Sequence, residues 1–483
     1  MKRTLKYFTL LFLCSSPIFD TTPFYSRMTS LIRVIIIMML LLLTLIFYKE
    51  SRKNLQYLIP YYLLCIIFLL INYIHSKSFI SLFPGDFDYS FFSEILTVLK
   101  LMMPVTLIYS LYYQKFNKQD YLLIFTSWTI LICISIILTN VLKISLSSYN
   151  QDLFIEYNIF EWSIKKYYIQ TASKGFFNYA NQEALILILL LTLNFYYFIK
   201  ESKYYLFSII LCSITMLVLG TRVSSLGGLL VLIFLFFSYL FFIFIKKERY
   251  AKEKLLLLIP IIIWILILPT SPYSNRQKEL LYHHKVSKEK KISIDTEEKL
   301  INKKPAKLKV SDEIKIKQLY IEENANPNLL PNHFYKTIYS YDYDVNFWYK
   351  FVNKYRNKNI NYRLIEISII KRVRSINNNF LDYLFGISNS RIQNIVNIER
   401  DFLLHYYAFG IIGSIILLAV YPFVLVVALI MLLKNINFNN YIKLVLVSLF
   451  IFCAYLTGNV LNSMTTIIVF GVVGSYVSLK EAK

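Results

Sequence analysis

The segment Leu219-Gly220-Thr221-Arg222-Val223-Ser224-Ser225-Leu226-Gly227-Gly228 sets one arginine among small residues between two apolar runs. Gly and Ser let helices approach closely, so the guanidinium can be held in a groove. Such a group suits a phosphate, which arginine grips with two parallel N–H bonds. The plainer reading is an arginine snorkelling to lipid headgroups. A second cluster, Glu399-Arg400-Asp401-Phe402-Leu403-Leu404-His405, opens another apolar run and leads into Gly410-Ile411-Ile412-Gly413. Acids in a first turn complement the helix dipole, and that alone accounts for them. Carboxylates at a membrane entry are costly, however, and usually serve a function. Asp401 and His405 lie four apart and so share a helix face. A carboxylate there can accept a proton from a hydroxyl.

Three further features join these two. Lys371-Arg372-Val373-Arg374, with Arg363 upstream, forms a basic run before the Glu399 cluster. Alone it reads as a solvated or headgroup-binding face; beside the others it offers a second grip on an anion. Thr457-Gly458-Asn459 makes a turn between the last two apolar runs. Lys100 lies about six residues, roughly 9 Å, into another run, where it can snorkel or point into a cavity.

The elements that must position these groups follow from composition. The 483 residues are 57% hydrophobic and only 17% charged, with a mean hydropathy of +0.51. Roughly half apolar is already typical of globular chains, and here the excess falls into runs long enough to cross a bilayer. The net charge of +23 does not indicate nucleic acid, because the cations sit between apolar runs or in one long segment. No basic stripe on a soluble domain is left to make such a footprint. The five cysteines show no CxxC or metal spacing, so neither a disulfide nor a metal centre is expected.

The expected fold is all-α, a polytopic bundle of about twelve spans near 5–20, 31–48, 55–74, 92–113, 121–142, 178–199, 204–220, 224–245, 255–270, 402–433, 442–458 and 460–478. The first run is short and follows Met1-Lys2-Arg3, as a signal peptide would. It lacks an A-x-A-like cleavage site, which favours a retained helix. With the N-terminus in the cytoplasm, every inner turn carries at least two cations, while the short outer segments carry fewer over a greater length. Both termini are then cytoplasmic, and 271–398 forms a large extracytoplasmic loop. Three regions result: helices within 1–270, the loop 271–398, and helices within 399–483. In the loop, 275–325 is Lys/Glu-rich with few aromatics, whereas 329–398 carries Tyr, Phe and Trp348 and is better able to fold against the membrane face.

One order of motifs brings these features together. Gly175-Phe176-Phe177-Asn178-Tyr179-Ala180-Asn181-Gln182-Glu183-Ala184 opens a span, and Gly220-Thr221-Arg222 precedes the long loop. Leu384-Phe385-Gly386-Ile387-Ser388, Glu399-x-Asp401, Gly410-Ile411-Ile412-Gly413 and Gly458-Asn459 follow it. Over about 90–478 the chain resembles the O-antigen ligase and polymerase family of bacterial envelope glycosyltransferases. The resemblance implies a sugar chain carried on a polyprenyl diphosphate at the outer face of the cytoplasmic membrane, moved without metal, nucleotide or other cofactor. In the ligase branch a His commonly stands eleven residues before the first Gly of the Gly-x-x-Gly; here that position is Glu399.

That departure favours a polymerase for capsule, exopolysaccharide or O-antigen. The alternatives are a ligase using another acceptor and a flippase for the same lipid-linked sugar. On this reading Glu399, helped by Asp401, takes the acceptor's proton, and Arg222, with Arg372 or Arg374, grips the diphosphate. Arg363, His405, Asn459, Lys100 and Asn181 complete the candidate substrate contacts. Expected partners are the lipid-linked oligosaccharide and membrane lipid, with a flippase and a chain-length regulator as further candidates and no nucleic acid.

Overall fold

The computed structural model describes residues 1–82, 88–150, 152–163, 168–246, 252–289, 310–325, 330–355, 362–396 and 398–479. Residues 290–309, in the Lys/Glu-rich part of the expected loop, thus lie outside the described residues. Among the described residues the regular structure is helical, with three isolated bridges and no strand. Among the described residues nine helices are long and apolar enough to cross a membrane: Arg27–Phe47, Leu55–Ser76, Phe91–Tyr113, Lys118–Val141, Ala180–Lys200, Val223–Phe244, Lys254–Leu281, Asp401–Lys434 and Phe438–Leu456. Tyr205–Leu219 and Met464–Val477 are apolar but shorter. The chain is an integral membrane protein, and helices are what such a sequence must form. In hydrocarbon each backbone N–H and C=O needs a partner within the protein. Side-chain caps start three of the spans: Ser26 with Thr29 and Asn117 with Asp120, in reciprocal pairs, and Asn437, which accepts the Asn440 N–H.

The chain forms two compact units. The first comprises Met1–Ile66, Ile95–Gln277 and Ile415–Lys483. At its centre helix Ala180–Lys200 is buried along nearly its whole length, packed against Tyr205–Leu219 and Phe438–Leu456. Arg33 and Asp20 make an enclosed ion pair there at 2.9 Å. Arg33 also donates to Thr465 at 2.7 Å, and the Asp20 carbonyl accepts the Asn178 N–H at 3.1 Å. Two charges so deep are tolerable only because each is paired and hydrogen-bonded.

The second unit comprises Ile67–Glu94 and Lys278–Ser414. Its aromatic centre is Trp348, ringed by Tyr335, Phe347 and Phe351, with the indole N–H donating to the Tyr339 carbonyl at 2.6 Å. Helix Tyr362–Asn377 lays Ile365, Ile369, Ile370 and Val373 inward. Beside them two strands of chain cross at a pair of glycines. The helix that begins at Asp401 breaks at Gly410, where φ is 65° and ψ −169°. The break takes away the donors that would have reached the carbonyls of Tyr407 and Ala408. Ile387 N–H and Ser388 N–H supply them instead, at 2.9 and 3.0 Å. The approach is so close that a Cβ on Gly386 would lie 2.2 Å from the Ala408 oxygen, and one on Gly410 2.3 Å from the Leu384 carbonyl carbon.

Polar side chains lock the crossing segment. Asn72 donates to the Phe385 carbonyl at 2.8 Å. Asp382 is bonded by His75 at 2.8 Å and Asn377 at 2.7 Å. Glu94, fully buried, accepts the N–H groups of Asn389 and Ser390 at 3.2 and 2.6 Å. Gly386→Ala or Gly410→Ala should therefore destabilise the protein by about 3 kcal/mol or more, combining overpacking with left-handed strain. Gly227→Ala, whose Cβ would meet nothing nearer than 3.7 Å, should be close to neutral. Thermal melts of the detergent-solubilised variants, followed by size exclusion, check both.

Candidate functional site

Arg363 and Glu366 stand three apart on helix Tyr362–Asn377 and so project from one side of it. Glu399 lies in the segment just before the helix that starts at Asp401. The structure brings the three together. Arg363 Nε donates to Glu399 Oε2 at 3.1 Å, and the Glu399 backbone N–H donates to Glu366 Oε2 at 3.4 Å. The Glu399 side chain is 46% exposed, whereas Glu366 is buried. Burial first, then the charge of Glu399, pushes the Glu366 carboxyl up to about 8, against the opposing pull of the Glu399 N–H and Arg363. One carboxyl is thus held protonated at neutral pH beside an accessible carboxylate steadied by a guanidinium. Two acids whose environments differ in this way can divide the work of acid–base chemistry.

Asp401 and His405, expected on one face, do meet. The bond, however, runs from His405 Nδ1–H to the Asp401 backbone carbonyl at 2.6 Å. Both residues are fully enclosed. The basic run divides. Arg372 holds Asp344 with two bonds, at 2.7 and 3.2 Å, and Asp344 also accepts the Tyr339 hydroxyl at 2.9 Å. Arg374 instead lies over the rings of Tyr383, Tyr407 and Tyr406, with 4.1, 4.7 and 5.3 Å to their centroids. Among the described residues no carboxylate is ion-paired to it. Rings hold such a cation by their quadrupoles and leave its in-plane donors free to meet an anion.

The remaining candidates belong to the first unit. Gly220 ends helix Tyr205–Leu219 in a left-handed conformation, and its carbonyl accepts the Tyr149 hydroxyl at 2.6 Å. Arg276 donates to that hydroxyl and lies over its ring. Thr221 and Ser224 bond each other reciprocally. A π-helical turn, Val223–Gly227, follows. This braced junction presents Arg222 exposed, with no side-chain partner among the described residues. Asn459 sits in a left-handed turn (φ 64°) that Asn tolerates, and its carbonyl accepts Gln182 at 2.7 Å. Neighbouring Asn181 opens helix Ala180–Lys200. Lys100 has Arg33, Asp20 and Arg27 as charged neighbours.

A family model described as O-antigen ligase like membrane protein matches residues 2–481. The chain belongs to this family. No curated protein and no solved structure matches it. Membership supports a ligase- or polymerase-type glycosyl transfer and implies a lipid-linked oligosaccharide as substrate, met within the membrane. The family resemblance read over about 90–478 is thus borne out, and the match extends over nearly the whole chain. Among the described residues no three His, Cys, Asp or Glu side chains gather as a metal site.

Sequence reasoning missed Glu366 and the Asp20–Arg33 pair. Glu366 did leave a signal, as a lone carboxylate in the apolar stripe formed by Ile365, Ile369, Ile370 and Val373. Lys174, counted only as an outer-segment cation, is buried and donates to the Asn178 carbonyl at 3.0 Å. Burial brings its amine down to about 8 against the pull of Asp152. Two ion pairs of the second unit, Arg372–Asp344 and Arg363–Glu399, should respond differently to mutation. Asp344→Ala, which strips an enclosed acceptor from Arg372 and Tyr339, should cost about 1–3 kcal/mol. Glu399→Gln, at a half-exposed pair, should cost no more than about 1 kcal/mol. Thermal unfolding of the two purified variants makes the comparison.

Proposed function

We propose that this protein is a polysaccharide polymerase that joins polyprenyl-diphosphate-linked repeat units at the outer face of the cytoplasmic membrane, for capsule, exopolysaccharide or O-antigen. The observation that carries the reading is the accessible Glu399 carboxylate held by Arg363. It occupies the position where the ligase branch commonly has histidine. Glu399 takes the proton of the acceptor hydroxyl as that oxygen bonds to the anomeric carbon of the donor. The bond from that carbon to the diphosphate breaks, its electron pair leaving with the phosphate oxygen, and direct displacement inverts the anomeric centre. Charge grows on the leaving group, and a fixed cation is what stabilises it.

Arg374, faced by rings rather than by a carboxylate, suits that task, whereas Arg372 is engaged with Asp344. Arg222, exposed on its braced turn, is the first unit's candidate for the same task. Enclosed as they are, Asp401 and His405 support the backbone behind Glu399. Lys100, Asn181 and Asn459 remain proposed substrate contacts.

For topology we add Lys2–Ser15, Tyr205–Leu219 and Met464–Val477 to the nine long spans, making twelve. With both termini inside, 271–398 then lies outside, between the helices within 1–270 and those within 399–483.

Complementation of a gene deletion tests the reading, with surface polysaccharide resolved by chain length. Glu399→Gln should cut chain growth by about 10²–10⁴-fold, the usual worth of a general base. Arg374→Ala should cut it by about 10²-fold or more, and Arg222→Ala should also leave single repeat units. Long chains from well-inserted Glu399→Gln would remove the proposed base. Repeat units that reach the surface unjoined to their acceptor would indicate a ligase, and units that never reach it a flippase.

A further inference from the structure

Glu366 has no part in the mechanism just given, yet its carboxyl is bonded to the backbone of its base. It sits one turn from Arg363 on the same helix, with its carboxyl against the Glu399 backbone N–H at 3.4 Å. Two carboxyl groups thus share the charge of one guanidinium, and Arg363 directs its Nε to the exposed one. The charged groups that face Glu366 are Glu399, from the segment packed on its helix, and Arg363, from its own. The carboxyl is also one of few polar groups on a helix face of isoleucine and valine. A charge there is expensive unless it serves something.

We propose that Glu366 is the positioning residue of the Glu399 base: its carboxyl anchors the Glu399 backbone, and its charge state decides whether the Glu399 side chain stays on Arg363. The inference rests on Glu399 being the base. Glu366 exchanges no proton with substrate; the acceptor's proton goes to Glu399. With its carboxyl pushed up to about 8, Glu366 carries its proton at neutral pH and loses it as pH rises through that value. A second negative charge then appears beside Glu399 and competes for Arg363, and like charges this close disfavour one another. Activity should accordingly be lost on the alkaline side, while acidification leaves Glu366 uncharged.

The test measures initial rates of chain growth between pH 6 and 9.5, in membrane vesicles from the deletion strain that carry its own lipid-linked repeat units. The wild-type rate should level off below about pH 8 and fall about tenfold per unit above it, as expected for one ionisation. Glu366→Gln, which keeps an acceptor for the Glu399 N–H but cannot ionise, should be a few-fold slower and level through pH 9. Glu366→Ala, with no acceptor, should be about tenfold slower still. Glu366→Met, close in length and also uncharged, gives the same reading of the alkaline limb if the Gln variant inserts poorly.

A Gln or Met variant that keeps the wild-type alkaline fall overturns the proposal. So does a well-inserted Gln variant with no activity at any pH, which would make Glu366 a direct proton carrier. An active Glu399→Gln variant would instead overturn the base assignment itself, and so marks that failure apart from this one.

Discussion

A helix inside a membrane can interrupt its own hydrogen-bond ladder only where other donors meet the carbonyls it releases. At Gly410 they come from Ile387 and Ser388, and much of the second unit is arranged so that these two amides can arrive. Nothing larger than glycine fits at Gly386 or Gly410, since any side chain would enter the opposite backbone. Asn72, His75, Asn377 and Glu94 then hold the incoming segment by its carbonyl, carboxylate and amides. The polar groups at this crossing answer the demands of backbone buried within the protein. The crossing thereby sets the course of the chain from Leu384 through Ser388 and the start of the helix that Glu399 precedes.

Glu399 itself is held lightly, by one guanidinium bond and one backbone bond. Its accessibility sets it apart from three enclosed carboxylates of the unit. Asp344, Asp382 and Glu94 are each buried and surrounded by donors, which makes them parts of the frame. A carboxylate proposed to gain and lose a proton in each cycle, as Glu399 is, cannot be so fully bonded. The aromatic packing around Trp348 and the apolar face of Tyr362–Asn377 give it a firm base without enclosing it.

The class of fold was legible in the sequence because runs of about twenty apolar residues have few other solutions. Tyr205–Leu219 and Met464–Val477 are helices shorter than the apolar runs that mark them in the sequence. Gly220 ends the first in a left-handed turn, a stop that hydropathy does not register. The exposed members of the candidate set, Arg222 and Glu399, were visible as charges where charges are costly. Glu366 was passed over, because its only signal was one acid among the isoleucines and arginines of its helix. The difference between Arg372 and Arg374 was invisible too. Two residues apart in one basic run, they part company only when Asp344 meets the first and three tyrosines the second. Asp20 and Arg33 are thirteen residues apart with nothing between them to suggest a pair.

The three rings around Arg374 carry one more consequence. A lysine or arginine on an open surface must give up many rotamers before it can hold anything, and that loss weakens binding. Here the side chain is already ordered by the faces of Tyr383, Tyr406 and Tyr407. An anion arriving at it meets donors in place and loses only its own freedom. The confinement works in the other direction as well. A guanidinium fixed between rings cannot follow an anion that moves away, and hydrogen bonds need both distance and angle to hold. Such a contact is selective about position and brief once position is lost, as suits the role proposed for Arg374.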